Sequence, residues 1–525
     1  MRILIAEPMA AGGVKLLQSQ PGWEVIVSNP KEFESHLPEA DALIVRSGLM
    51  VDGAVLSKAP KLRVIGRAGV GVDNVDLPAA TAAGVLVMNT PGGNAVSVAE
   101  HTIALMLSMA RSIPSASAST KAGKWEKRKY LGTELRGKTL GIVGLGSIGR
   151  EVVKRAAAFE MRIVANDPYV NSQTAKSVGV ELVDLPTLYA ESDYITLHTA
   201  LTPESNRMLS REAFAKMKKG VRVLNCARGE LIDQKALCEA LASGKVAGAA
   251  LDVFEQEPPA PDDPILKMDG LVATPHIGGS TEEAQETVGI RLAQQIVDYL
   301  QNGVALQAVN LPALTPEQYK TLTPYSRLAE RLGNFASYIS KGNPQTVRLV
   351  YFGKLADQNM HFVRNAGLAG VLHRSLARKA NLVNAMQIAA DRGLTVAERH
   401  DHRATHTDTV RLELETDAGS VWVEGAVVMG QPRLVQVDGI HCEAPLEGNL
   451  TFTKNQDVPG VIGYIGGVLG KNGVNVATFS LGRNKAGAEA VAVVQTDQPV
   501  EENVLAQLLE NPAIRTAQSV RFPGE

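Results

Sequence analysis

Cysteine is scarce: Cys226, Cys238 and Cys442 are the only three in a chain of 525 residues. None stands in a C-x-x-C spacing, so neither a disulfide framework nor a cysteine-rich zinc module organises the fold. Free thiols in a reducing cytoplasm are the expectation. Net charge is nearly absent too, at −2 with the basic residues spread along the chain. That distribution offers no patch to a nucleic-acid backbone. No apolar run reaches membrane-spanning length, and "MRILIAEPMA" enters a short strand pattern with no signal-peptide core. What remains, 45% hydrophobic and 21% charged residues, is the balance of an ordinary globular protein. The length exceeds what one core supports, so three or four domains are expected.

Up to about residue 95, the runs "RILIA", "EVIVS", "ALIVR", "RVIGRAG" and "VLVMNT" alternate with helical patterns. Runs apolar on both faces suit a parallel sheet covered by helices. A long helix follows in "NAVSVAEHTIALMLSMARSI", with Ser97 and Glu100 as a capping-box pair. A second series, "TLGIVGLG", "RIVAND", "DYITLHT", "VRVLNCA", "VAGAALDV" and "LVATPHIGG", predicts a second doubly wound sheet. The helical segment 280–303, with Ser280 and Glu283 as another capping pair, is expected to pack back on the first domain. The second sheet is then inserted in the first, through two crossing segments that can act as hinges. "VALQAVNLPALTPEQ" reads as a linker. From about 316 to 447, early helices and late β-runs predict a mixed α/β domain. From Leu450 the order strand, helix, strand, strand, helix, strand is ferredoxin-like βαββαβ.

The chemistry concentrates in the second sheet. Gly144, Gly146 and Gly149 form G-x-G-x-x-G between an apolar strand and a helix, the setting in which this pattern binds a dinucleotide. The first glycine permits the tight turn, the second admits pyrophosphate to the backbone, and the third lets helix meet strand. Pyrophosphate would lie at the helix N-terminus, where free N–H groups and the dipole favour an anion. Asp167 follows Gly149 by 18 positions at the end of "RIVAND". A carboxylate there accepts from ribose hydroxyls and repels a 2′-phosphate, favouring NAD over NADP. Arg228 in "NCARGE", Glu257 in "DVFEQEPP" and His276 in "TPHIGG" fall at strand carboxyl ends, where open α/β sheets bind ligands. Singly, each has a bland reading: a surface cation, a turn acid, a loop histidine. Together in one dinucleotide-binding unit they are the set needed to oxidise a 2-hydroxy acid. Histidine takes the hydroxyl proton, the carboxylate orients it and raises its pKa, and arginine grips the substrate carboxylate with a planar fork. Gly229 is expected to provide a sharp turn that aims Arg228 into the cleft.

With "GRAGVGVDNVD", "NTPGGNAVSVAEHT", "GKTLGIVGLGSIGREV", "LNCARGELID", "ALDVFEQEPP" and "TPHIGGST", the whole chain resembles the D-isomer-specific 2-hydroxyacid dehydrogenases in their long, four-part form. The resemblance implies a flavodoxin-like substrate domain (1–96 and 283–305) and a Rossmann NAD-binding domain (97–282). It further implies an intervening regulatory domain (306–447) and an amino-acid-binding ACT domain (448–525). It assigns Arg228, Glu257 and His276 to catalysis. Cofactor contacts carry over to Gly144, Gly146, Ser147, Ile148, Gly149, Asp167, Thr199, Cys226, Ala227, Arg228, Asp252, His276, Gly278 and Gly279. Val70 stands where some relatives have threonine, which leaves a backbone or apolar contact there. Arg46, Ser47, Arg67 and Asn94 are implied to hold substrate, with "KWEKRKY" (124–130) contributing from a neighbouring subunit. Asp457 and Asn475 are implied to hold an effector amino acid across a dimer interface.

The implied reaction is NAD-dependent oxidation of 3-phospho-D-glycerate to 3-phosphooxypyruvate, the first step of L-serine synthesis, in a homo-oligomer inhibited by L-serine. Two rivals stand beside it. Another D-2-hydroxyacid dehydrogenase, such as a glyoxylate or hydroxypyruvate reductase, typically matches only residues 1–305. A non-catalytic NAD-sensing scaffold would not need the complete trio. His400, His402 and His406 cluster in "ERHDHRATHTD" without a second half of properly spaced ligands, so a polar loop is expected there rather than a metal site.

Overall fold

The computed structural model describes residues 1–375, 380–402, 407–485 and 488–522. The first sheet holds β1 (Arg2–Ile5), β2 (Glu24–Val27), β3 (Ala42–Val45), β4 (Val64–Arg67) and β5 (Leu86–Met88). All are parallel, in the order β2-β1-β3-β4-β5, the flavodoxin-like winding. Strands β1, β3, β4 and β5 are buried on both faces over most of their length, which is why they read as unbroken apolar runs. Helix Glu282–Asn302 covers one face, setting Leu292, Ile296 and Leu300 against Ile3, Ile44 and Val64.

The second sheet holds β6 (Thr139–Val143), β7 (Arg162–Asn166), β8 (Glu181–Leu182), β9 (Tyr194–Leu197), β10 (Val221–Asn225), β11 (Val246–Leu251) and β12 (Leu271–Ala273). Its order β12-β11-β10-β9-β6-β7-β8 is the doubly wound Rossmann order with one extra edge strand. The two-residue β8 escapes sequence reading because it is too short to carry a period. Helix Ala95–Ala110 leaves the first sheet and packs on the second, with Ile103 and Met106 among Leu140, Ile142 and Val152.

Both expected capping boxes are corrected. Helix Ala95–Ala110 begins before Ser97, with Asn94 at its N-cap and no capping side chain. Ser97 instead shares a 2.7 Å hydrogen bond with Thr281, tying the two crossing segments together. Thr281, not Ser280, caps helix Glu282–Asn302 by accepting from Ala284 N.

The third sheet contains β13 (Pro344–Phe352), β14 (Thr395–Asp401), β15 (Thr409–Thr416), β16 (Gly419–Val428), β17 (Gln431–Val437) and β18 (Ile440–Pro445). Only β13 and β14 pair in parallel, and β13 lies between the helices Pro316–Ile339 and His361–Leu372, so β-structure here is not confined to the late part. The last sheet, β19 (Asn449–Gln456), β20 (Val476–Arg483), β21 (Glu489–Thr496) and β22 (Ile514–Arg521), is antiparallel in the order β20-β21-β19-β22. With helices Val461–Lys471 and Glu502–Leu509 it completes the ferredoxin-like βαββαβ unit.

The linker after Asn302 is pinned rather than loose. Val309 N donates to Val87 O, Ala308 bridges Met88, and Asn310 accepts from Val87 N, so the linker covers the open edge of β5.

Candidate active site

Residues 144–149 form the turn from β6 into helix Ser147–Ala158. Gly144 has φ +97°, and a Cβ on it would lie 2.4 Å from His198 O, so both conformation and space demand glycine. A Cβ on Gly149 would lie 2.1 Å from Gly144 O, the helix–strand approach that the motif requires. Space above Gly146 is open, and no side chain caps the helix, so its first-turn N–H groups are left for an anion. Asp167 accepts from Leu145 N (2.8 Å) and Tyr169 N (2.9 Å), which fixes its carboxylate beside the turn. Thr199 follows His198 past the end of β9, and Ser147 faces the Gly92 turn of the crossing segment. These features fit a dinucleotide. Burial pushes the Cys226 thiol up to about 12, with a hydrogen bond to Thr102 opposing and the charge of Asp252 adding, so it is no nucleophile.

A cleft opens at the carboxyl ends of the two sheets. Arg46, Ser47, Arg67, Asn94, His276 and Gly279 all line it. Arg46 and Ser47 leave β3 on a loop held by buried Glu7, whose carboxylate accepts from Arg46 N (2.6 Å) and Gly48 N (3.0 Å). Arg67 closes β4, and its buried Nε has no protein partner; neither has the buried Oδ1 of Asn94. Burial, followed by repulsion from Arg228, holds the Arg67 guanidinium below its ordinary pKa. A buried cation with an unmet donor is costly unless an anion completes it.

His276 and Glu257 form a hydrogen-bonded pair, with Nδ1 2.6 Å from Oε2. The other oxygen of Glu257 accepts from Phe254 N at 3.1 Å. The hydrogen bond to Glu257 raises the His276 pKa, burial pulls it down, and the charges of Glu257 and Asp252 add to the rise against Arg228. Burial pushes the Glu257 carboxyl up, but the hydrogen bond and charge of His276 outweigh it, so its pKa is lowered. His276 sits at φ +53°, a left-handed conformation costing about 1–3 kcal/mol unless its surroundings enforce it. Asp252 does the enforcing. Its backbone O accepts from His276 N at 2.8 Å, and its carboxylate accepts from Ile277 N, Gly278 N and Thr274 Oγ1. His101 lies 3.3 Å from the same carboxylate. Burial raises the Asp252 pKa, yet these hydrogen bonds prevail and keep it low.

Arg228 follows β10, where buried Asn225 bonds both Ala227 N and Arg228 O and so clamps the loop. Gly229 has no positive φ; it opens a short 3-10 turn. Its need for glycine is contact, since a Cβ would lie 2.0 Å from Phe254 O. The Arg228 guanidinium is engaged by Asp73 of the first sheet, at 3.0 Å from Nε and 2.8 Å from Nη2. Sequence reading missed Asp73, Glu7 and His101, because each acts on a residue remote in the chain, and it missed the cleft-lining Gln285.

Several expected residues lie elsewhere. Val70 O accepts from Asn89 Nδ2, so that carbonyl is engaged by the protein itself. None of 124–130 lines the cleft of its own chain, and Trp125 is 85% exposed. Asp457 pairs with Arg483 at 2.8 Å beyond the end of β19, whereas Asn475 bonds Asp497 at 2.7 Å before the start of β20. The register of β19 and β20 on β21 sets these two at opposite ends of the sheet, so one chain does not bring them together. His400 bonds Ala356 O, His402 lies 3.1 Å from Asp357, and His406 falls outside the described residues.

A family model for the NAD-binding domain of D-isomer specific 2-hydroxyacid dehydrogenases matches residues 103–278. One for the D-3-phosphoglycerate dehydrogenase intervening domain matches 321–438. The D-3-phosphoglycerate dehydrogenase of Methanocaldococcus jannaschii is 43% identical over 517 residues, 98% of each chain. That of Archaeoglobus fulgidus is 41% identical, covering 99% of this chain and 100% of the relative. The D-lactate dehydrogenase of Aquifex aeolicus, solved with NAD and lactic acid, superposes with a TM-score of 0.52 at 28% identity, over 60% of this chain and all of that one. Inserted Rossmann sheet, facing cleft and full-length likeness agree: the chain belongs to the D-3-phosphoglycerate dehydrogenases of the D-isomer-specific 2-hydroxyacid dehydrogenase family.

Proposed function

We propose that this NAD-dependent dehydrogenase oxidises 3-phospho-D-glycerate to 3-phosphooxypyruvate in the cleft between its first two sheets. One observation carries the substrate: Arg46 and Arg67, the latter with an unmet buried donor, line the same cleft as His276. Oxidising a 2-hydroxy acid needs one arginine, and a phosphate at the far end of the substrate accounts for the further cations. Arg228 grips the carboxylate. His276 Nδ1 donates to Glu257, which leaves Nε2 to take the hydroxyl proton, while the Glu257 charge stabilises the imidazolium. Bound at the glycine turn and Asp167, NAD supplies the hydride acceptor. By the same reading, 1–96 with 283–305 binds substrate, 97–282 binds NAD, and 306–447 and 448–525 regulate.

L-serine is the proposed inhibitor at the last domain. Since Asp457 and Asn475 lie at opposite ends of one sheet, the effector would be held between two copies of the chain. A homodimer is therefore the least assembly this reading needs, and no other macromolecule is invoked. Among the described residues no helix is long and apolar enough to cross a membrane.

The test is an NADH absorbance assay over a panel of 2-hydroxy acids. Phosphoglycerate is expected to be the best substrate, and equal turnover of unphosphorylated glycerate overturns the phosphate assignment. L-serine titrated into the same assay should lower the rate; an unchanged rate at millimolar serine rejects the inhibition.

A further inference from the structure

Asp73 lies in the loop after β4 of the first sheet, and Arg228 lies 155 positions on, after β10 of the second. Asp73 Oδ2 accepts from Nε at 3.0 Å and lies 2.8 Å from Nη2, along the side edge of the guanidinium. Nη1 donates to Ala227 O at 2.6 Å. Of the five N–H donors, Nε and one hydrogen of Nη1 are engaged, so at least one hydrogen on each of Nη1 and Nη2 remains for a ligand such as a carboxylate. The loop is shaped for this approach. A Cβ on Gly71 would lie 1.8 Å from Arg228 Nη2 and 2.6 Å from Asp73 Oδ2. Arg67 is close enough to be repelled by Arg228 and attracted by Asp73, so the aspartate also offsets two neighbouring cations.

We propose that Asp73 is a positioning residue for the dehydrogenase reaction: reaching across from the first sheet, it sets the rotamer of Arg228 and so aims its free N–H groups at the substrate carboxylate. This rests on the reading of Arg228 as the carboxylate grip. It needs no particular 2-hydroxy acid, because the carboxylate is common to all of them.

The expected result for Asp73→Asn in the full-length enzyme is a fall in kcat/KM of about 10²-fold, the cost of misplacing a reacting group by about 1 Å. KM for the hydroxy acid rises, NADH affinity measured by fluorescence stays at the wild-type value, and Asp73→Glu recovers part of the loss. In an Arg228→Lys background, Asp73→Asn should cost little more, since the group it positions is gone. Oxalate binding to the NADH complex gives a readout free of turnover, with Kd raised about tenfold or more in Asp73→Asn. Wild-type kcat/KM and oxalate affinity in Asp73→Asn overturn the proposal. So does an equal loss in the Arg228→Lys background, or a loss matched by lowered Tm and weakened NADH binding. Should another hydroxy acid prove the substrate, the phosphate reading fails, while the same variants assayed with that acid still decide Asp73.

Discussion

The 2.6 Å contact between His276 and Glu257 couples two titrations, and each partner moves the other toward its charged form. Oxidation needs the free imidazole, so kcat/KM should rise with pH as His276 loses its proton at a pKa above its ordinary value. Glu257→Gln removes the principal cause of that elevation. The acid limb of the pH profile should move to lower pH while the plateau rate falls, and an unmoved limb refutes the pairing. His276→Ala removes the base itself, with an expected loss of about 10²–10⁴ in kcat and NADH binding nearly retained. Asp167 belongs to the same scale. Its carboxylate is fixed by Leu145 N and Tyr169 N, and Asp167→Ala should raise KM for NAD and narrow its advantage over NADP, measured as the ratio of kcat/KM values. A preference that stays as wide would remove Asp167 from cofactor recognition.

At the scale of elements, strand carboxyl ends carry the proposed reacting groups, and hydrogen bonds from neighbouring loops fix their aim. "VRVLNCARGELID" shows how much of this is legible: the buried strand and the arginine at its end can be read directly. The reason for Gly229 cannot, because the Phe254 backbone that excludes a side chain is 25 positions away, counting from 229 to 254. Gly229→Ala forces that loop and the one bearing Glu257 apart. A loss of about 1–3 kcal/mol in denaturant unfolding and a fall in kcat should appear together. Full stability in this variant would show that the loops yield without cost. Of the two misplaced capping boxes, the second misses by one residue, with Thr281 capping in place of Ser280, and the first has a tertiary origin. Ser97 and Thr281 satisfy each other across the crossing point, a tertiary partner that outweighs the local pattern.

At the scale of the whole molecule, the intervening region docks on the first sheet rather than trailing from it. Val383 is buried in one cluster with Leu86 and Met88, and Asn381 Nδ2 donates to Gly84 O at 2.8 Å. Strand β5 leads by Thr90 and Asn89 to the loop that carries Asp73, through their bonds to Gly69 O and Val70 O. The contact should make these units unfold together. Val383→Asp places an unpaired carboxylate in that cluster, and calorimetry should then show the transition split in two. A single unshifted transition would mean that the contact contributes no coupling.

The amino-acid sequence by itself made legible most strands of the first two sheets, the dinucleotide turn, and Arg228, Glu257 and His276 as candidates, because these depend on period, local turn chemistry and residue type. The cleft was legible as a set of residues but not as a shape. Only the tertiary structure decided who holds whom: Asp73 on Arg228, Asp252 under His276, Glu7 behind Arg46, and Asp457 apart from Asn475. The physical reason is that hydrogen-bond and ion-pair partners are chosen by distance in space. Sheets that fold back on one another bring together groups whose separation along the chain carries no signal.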